Sequence, residues 1–170
     1  MKRRELFGFL SSSVKEAVRK KKIEEVVVLR PPYYSDVNAF ATECQNCEGQ
    51  CVSLCQEQII KIGEDKTPYL DFSQRGCTYC DECAIACPSD VLLVENKRLI
   101  EASIIINKDK CYSWQGVMCF SCKDPCYEDA IDFKAMFMPE INEKCTSCGF
   151  CISRCPADAI DIKKVSSCDT

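Results

Sequence analysis

The sequence predicts an α+β fold made of two copies of one small unit, with short strands and short helices gathered around cysteines. Three observations predict it. Sixteen of the 17 cysteines fall into four quartets. A similar apolar segment follows each quartet. The quartets alternate between an irregular and a regular spacing, twice over.

The chain has 170 residues and is 46% hydrophobic, with cysteine counted in that share. Without cysteine the apolar content falls to about a third, against the usual half. So thin a core needs staples, which are disulfides in a secreted chain and metals elsewhere. The longest apolar run near the start is Val26–Leu29, too short for a signal peptide or a membrane span. A cysteine-rich intracellular chain reads as metal-binding. Net charge is −4, but residues 1–30 hold nine Lys or Arg against four Glu, which leaves −9 for the remainder. Histidine is absent, which removes the commonest general base and the commonest zinc ligand.

The quartets are Cys44, Cys47, Cys51, Cys55; Cys77, Cys80, Cys83, Cys87; Cys111, Cys119, Cys122, Cys126; and Cys145, Cys148, Cys151, Cys155. After them come Gln56–Ile62, Pro88–Val94, Tyr127–Phe133 and Pro156–Ile162. Each reads as a half-turn of helix and then a short strand. Quartets two and four are also preceded by similar segments, Pro68–Phe72 and Pro139–Asn142. The pattern is a fourfold repeat with a twofold repeat laid over it. It divides the chain into a basic arm (1–30), a first unit (31–95), a second unit (96–165) and a short tail (166–170). The charged stretch Glu95–Ala102 links the units, and the strand-like Ser103–Ile106 opens the second.

Quartets two and four are C-x2-C-x2-C-x3-C-P, the run of two-cluster ferredoxins. Two intervening residues let a tight loop aim three thiolates at one [4Fe–4S] cubane. The fourth cysteine is expected at the start of a helix, facing a partner cluster, with proline at the first helical position. All sixteen quartet cysteines are thus the expected ligands of four [4Fe–4S] clusters. Exchange between adjacent quartets joins Cys44, Cys47 and Cys51 to Cys87, and Cys77, Cys80 and Cys83 to Cys55. It joins Cys111, Cys119 and Cys122 to Cys155, and Cys145, Cys148 and Cys151 to Cys126. An interleaved pairing, one with four and two with three, is the alternative.

Quartet one carries an extra residue in Glu48-Gly49-Gln50, where glycine can absorb the distortion. Quartet three has seven residues, Tyr112–Met118, between its first two cysteines, and that loop must bulge outward. These longer loops predict more solvent access at quartets one and three. Structural zinc draws two pairs from separated loops, unlike four compact quartets. Each oxidised cluster with its thiolates adds about −2, which takes the loaded protein to about −12. That charge favours a protein partner with a basic face and disfavours nucleic acid. With no histidine, no dinucleotide-binding glycine fingerprint and one cysteine to spare, the chain is expected to carry electrons rather than act as an enzyme.

Three features resemble the NapF-type accessory ferredoxins of the periplasmic nitrate reductase system. They are Arg30-Pro31-Pro32-Tyr33 with Phe40 ahead of Cys44, the Cys111-to-Cys119 loop of quartet three, and the order of the quartets. Together they cover residues 30–160. The resemblance implies a cytoplasmic iron–sulfur protein whose partner is the molybdenum-containing catalytic subunit, in its maturation or its electron supply. A permanent electron-transfer subunit of another membrane-associated or molybdenum oxidoreductase complex is the competing expectation. The first spacing departs from the regular pattern, which bears on the potential of that cluster.

Other features carry less. Lys2-Arg3-Arg4-Glu5-Leu6-Phe7 resembles a twin-arginine export motif, but Ser11-Ser12-Ser13 and the basic run Lys15–Lys22 follow where an apolar stretch belongs. Leu6, Leu10, Val14, Ala17 and Val18 lie on one side of an expected helix, a solvated arm or a docking face. Trp114, in the bulged loop, reads as a shield over a cluster or as a partner contact. Cys168 reads as a free surface thiol.

Overall fold

A computed structural model describes residues 28–165. Residues 1–27 of the basic arm and Cys168 lie outside the described residues. Twelve short elements run in chain order: α1 (Ala39–Glu43), a 3-10 turn (Cys44–Asn46), α2 (Gln50–Ser53), β1 (Ile60–Ile62), β2 (Pro68–Leu70), α3 (Glu82–Ile85), a 3-10 turn (Val94–Asn96), β3 (Ala102–Ile106), β4 (Ile131–Lys134), β5 (Phe137–Ile141), α4 (Phe150–Ser153) and β6 (Ile160–Lys164). The architecture is mixed, and each strand belongs to a two-stranded antiparallel ribbon.

Quartets one and two are separated by the hairpin β1–β2, with Ile60 opposite Leu70. Quartets three and four are separated by the hairpin β4–β5, with Ile131 opposite Ile141. In the later half a second ribbon pairs β3, ahead of quartet three, with β6, behind quartet four, setting Ile104 opposite Ile162. In the earlier half the matching ribbon shrinks to a single bridge, Tyr34 to Leu92. The strand expected after quartet two is therefore absent, and Val94–Asn96 turns into a 3-10 helix there.

The same turn closes every quartet. The third residue after each last cysteine has a left-handed backbone: Gln58 (φ 55), Asp90 (φ 55), Asp129 (φ 48) and Asp158 (φ 44). Asp and Asn-like side chains tolerate this region better than most residues. This turn corrects one expectation. The fourth cysteine does not start a helix; α2, α3 and α4 come before it and hold the third cysteine, Cys51, Cys83 or Cys151. A left-handed residue three positions on stops the chain from continuing as a helix, so Pro88 and Pro156 occupy turns. The three helices in turn begin after left-handed residues, Gly49, Asp81 and Gly149.

Two apolar clusters form the core. Tyr33, Phe40, Ile59 and Leu92 anchor the first, and Ile104, Ile131 and Ile160 the second. Ile152 and Ile162 pack against both. Among the described residues no helix is long and apolar enough to cross a membrane.

Candidate metal centres

The structure gathers the sixteen quartet cysteines into four sets. Cys55, Cys77, Cys80 and Cys83 line one cavity with Pro31, Pro32, Tyr33, Ile59 and Ile60. Cys111, Cys119, Cys122 and Cys155 line another beside Ile106 and Pro139. Cys126, Cys145, Cys148 and Cys151 line a third beside Ile104 and Ile131. Counting open space at their mouths, these three hold about 380, 350 and 340 Å³ respectively. Cys44, Cys47 and Cys51 line a wider hollow of about 650 Å³. Cys87 is not on its wall, yet its thiol lies close enough to Cys44 and Cys51 to raise both. Each set takes three cysteines from one quartet and the last cysteine of the adjacent one.

The geometry follows from local structure. A left-handed residue before the helix turns the chain so that the first three cysteines curl round one space. The next cysteine, beyond the helix, then points into the neighbouring space. Backbone N–H groups freed by these turns donate to sulfur. Gly49 donates to Cys47 Sγ and Tyr79 to Cys77 Sγ, both at 3.4 Å. Ala130 donates to Cys126 Sγ at 3.2 Å and Ala159 to Cys155 Sγ at 3.3 Å, the same contact in both halves of the later pair.

Electrostatics points to positive charge in each space. Burial pushes the thiols of Cys51 and Cys77 up to about 11. It pushes Cys122 and Cys151 up to about 12, and neighbouring thiols add to the rise. Burial raises Cys83 further still, again with help from Cys77 and Cys51. Thiols crowded in this way become thiolates only beside cations. Iron supplies such charge in iron–sulfur sites, where soft thiolate is its preferred donor. None of the sixteen is in a disulfide. Among the described residues no three Cys, Asp or Glu side chains come close enough to hold a single metal ion. The sulfurs surround a space instead of a point, which fits a multi-iron group better than tetrahedral zinc.

The irregular loops differ in outcome. The hollow of quartet one is the widest, as its extra residue predicts. Quartet three departs from expectation. Tyr112 and Gln115–Met118 are exposed, but the loop folds back on β5, where Trp114 Nε1 donates to the Pro139 carbonyl at 3.1 Å. Its cavity stays as compact as those of the regular quartets. Trp114 is half-buried, with Lys108 Nζ 4.1 Å from its ring. Ser113, beside it, is buried and its hydroxyl has no hydrogen-bond partner among the described residues.

The lead-in Arg30-Pro31-Pro32-Tyr33 plays a part that the sequence alone did not assign. Arg30 donates to Thr67 Oγ1 and to the Pro68 carbonyl, both at 2.6 Å, tying the strand entry to the hairpin. The two prolines and Tyr33 then wall the cavity of quartet two. The Tyr33 hydroxyl accepts the Asp81 N–H at 3.2 Å, and burial raises its pKa. Two consecutive prolines ahead of a tyrosine were the available signal for a rigid wall.

Comparison with known proteins agrees with this geometry. A 4Fe-4S dicluster domain matches residues 43–91, and a 4Fe-4S binding domain matches residues 139–161. The ferredoxin-type protein NapF of Escherichia coli (strain K12) is 32% identical over 137 residues, covering 78% of this chain and 82% of that one. The ferredoxin-type protein NapG of the same strain is 30% identical over 162 residues, covering 81% and 70%. One component of the Na(+)-translocating ferredoxin:NAD(+) oxidoreductase complex of Acetobacterium woodii is 30% identical over 122 residues, covering 66% and 35%. On the strength of the NapF match and the cysteine architecture, the chain belongs to the NapF-type family of 4Fe-4S ferredoxins.

Proposed function

We propose that the chain is an accessory electron carrier holding four [4Fe–4S] clusters, which acts in the cytoplasm on the catalytic subunit of a periplasmic nitrate reductase. Its part there is maturation of that subunit or electron supply to it. The observation that carries this reading is the gathering of sixteen cysteines into four sets of four. The reading includes an α+β fold of two ferredoxin-like units, 31–95 and 96–165, with last cysteines exchanged inside each unit.

A bound [4Fe–4S] cluster supplies one-electron exchange without making or breaking a bond to substrate. The chain does the rest. Sixteen thiolates hold iron. Ile59, Ile60 and Tyr33 at the second set, and Ile104 and Ile131 at the fourth, exclude water. N–H donors on Cys47, Cys77, Cys126 and Cys155 favour added negative charge and so raise the potential. In this reading all sixteen cysteines among the described residues serve as ligands, and the chain carries electrons rather than acting as an enzyme.

Metal analysis of anaerobically purified protein tests this. About sixteen iron and as many sulfides per chain is the expected result. Four zinc without acid-labile sulfide would end the reading. Iron near twelve would remove one set; the third quartet lies outside both matched domains. Similarity to a component of an oxidoreductase complex supports a second reading, a fixed electron-transfer subunit. Purification from native cells separates the two, because a permanent subunit returns its complex in fixed ratio.

A further inference from the structure

The two pairs of quartets pack against each other, and two of their cysteine loops meet directly. The loop that opens quartet two lies against the loop that opens quartet four, and the Cys77 N–H donates to the Cys148 carbonyl at 2.7 Å. Tyr79 is wedged alongside. Its hydroxyl donates to the Thr146 carbonyl at 2.5 Å and accepts the Ile100 N–H at 3.2 Å. Its phenol lies beside the thiols of Cys77, Cys145 and Cys148. Ser147, buried, donates from its hydroxyl to the Ala102 carbonyl at 2.5 Å. There is no slack between the loops. A Cβ on Gly76 would come within 2.6 Å of the Cys148 carbonyl and of the Phe150 ring. Within each pair the sets are near enough that Cys51 raises the Cys83 thiol and Cys122 raises the Cys151 thiol.

We propose that the Cys77–Cys148 contact is the electron bridge between the two pairs, which makes the four sites one line in the spatial order first, second, fourth, third. Sequence order and conduction order then differ. The regular quartets sit back to back in the middle, and the irregular ones form the ends. The bridge is covalent except for a single hydrogen bond between the backbone of two ligand cysteines. One electron passes from a one-electron protein donor on one pair to a one-electron protein acceptor on the other. No bond changes and no proton moves. Tyr79 is a positioning residue that clasps the two loops, Gly76 leaves room for their contact, and Ser147 fixes the second loop on β3. The inference rests on the four-cluster reading above.

The test uses the full-length holo-protein and two variants. Gly76→Val forces the loops apart, and Tyr79→Phe removes the clasp to Thr146 while keeping the ring. Iron and sulfide are counted first, and a wild-type count near half the four-site value overturns the reading beneath the proposal. Electron redistribution is then followed by freeze-quench spectroscopy after a substoichiometric pulse of dithionite. Spin–spin interaction is read from the paramagnetic resonance spectrum of the fully reduced protein. With iron content unchanged, Gly76→Val should slow redistribution at least about tenfold, equal to roughly 1.4 kcal/mol of barrier. It should also lose part of the interaction pattern. Tyr79→Phe should show the same changes to a smaller extent, and it serves if Gly76→Val loses iron. Either variant, fully loaded and indistinguishable from wild type in both readouts, overturns the bridge.

Discussion

Arg30 donates to the Thr67 hydroxyl at 2.6 Å, reaching from the strand entry to the tip of the β1–β2 hairpin. The same guanidinium bonds the Pro68 carbonyl and sits 4.9 Å from the centre of the Phe40 ring. It joins hairpin, lead-in and the helix before Cys44. Arg30→Ala leaves two hydrogen bonds to a charged group unmade, at about 2 kcal/mol in total after solvent takes part of the loss. A lowered thermal midpoint of the holo-protein is expected. Arg30→Lys should recover less than half of it, because a point charge cannot serve both acceptors and the ring together.

Asp65 gives a pH signature in the same hairpin. Hydrogen bonds from the Thr67 hydroxyl and N–H hold its carboxyl below the usual carboxylate range, with help from Arg30. A depressed folded pKa contributes stability that is fully present above the unfolded value, about 3.9. That contribution disappears as pH falls through the folded value. Asp65→Asn should therefore be less stable than wild type at pH 6, and the gap should close toward pH 3. Urea midpoints across that range check the trend. A gap that widens on acidification would contradict the assignment.

Gly149 stands at φ 84, and a Cβ there would meet the Phe72 ring at about 2.5 Å. Gly149→Ala combines backbone strain with overpacking, a loss on the order of 2–4 kcal/mol. Faster iron release to a chelator is the expected readout. Asp81, its counterpart before α3, is already a non-glycine residue at positive φ, and Asp81→Gly should cost far less at the backbone.

The hollow of Cys44, Cys47 and Cys51 is nearly twice as large as each of the other three. Oxygen or chelator should therefore remove iron from the first set before the third. Equal losses from the first and third, as loop length alone predicts, would argue against this ordering. Spectroscopic counting during slow oxidation distinguishes the two.

Cys87 lies beside Cys44 and Cys51. In Cys87→Ala, damage confined to the first set is the expected outcome. Resonance spectra should report a three-iron species there. Damage at the third set instead would restore the interleaved pairing.

Much of this was legible in the cysteine spacing. The two regular quartets fix which loops must curl, because three sulfurs with two residues between them cannot all face one space unless the chain turns tightly. The left-handed residues Gly49 and Gly149 carry that information openly. Less legible was the position of the helices. Cys-Pro looked like a helix start, but the left-handed turns at Asp90 and Asp158 are set by packing of the following segment, which no local rule reports. The compact third cavity was also hidden. Its closure depends on Trp114 meeting Pro139, 25 residues away. The contact between the Cys77 and Cys148 loops was equally beyond reach, since nothing near either cysteine names the other.

The β3–β6 ribbon has a consequence for synthesis. Ile104 gains its partner only when Ile162 has left the ribosome, and Cys122 meets Cys155 only then. The earlier half waits less, because Cys87, the Tyr34–Leu92 bridge and the core residues Ile100 and Ala102 have all been made by residue 102. The order of synthesis therefore favours closing the earlier pair of sites first, since the later pair has all its strands only once β6 is made. A premature stop just ahead of β6 would spare the first pair and leave β3 unpaired.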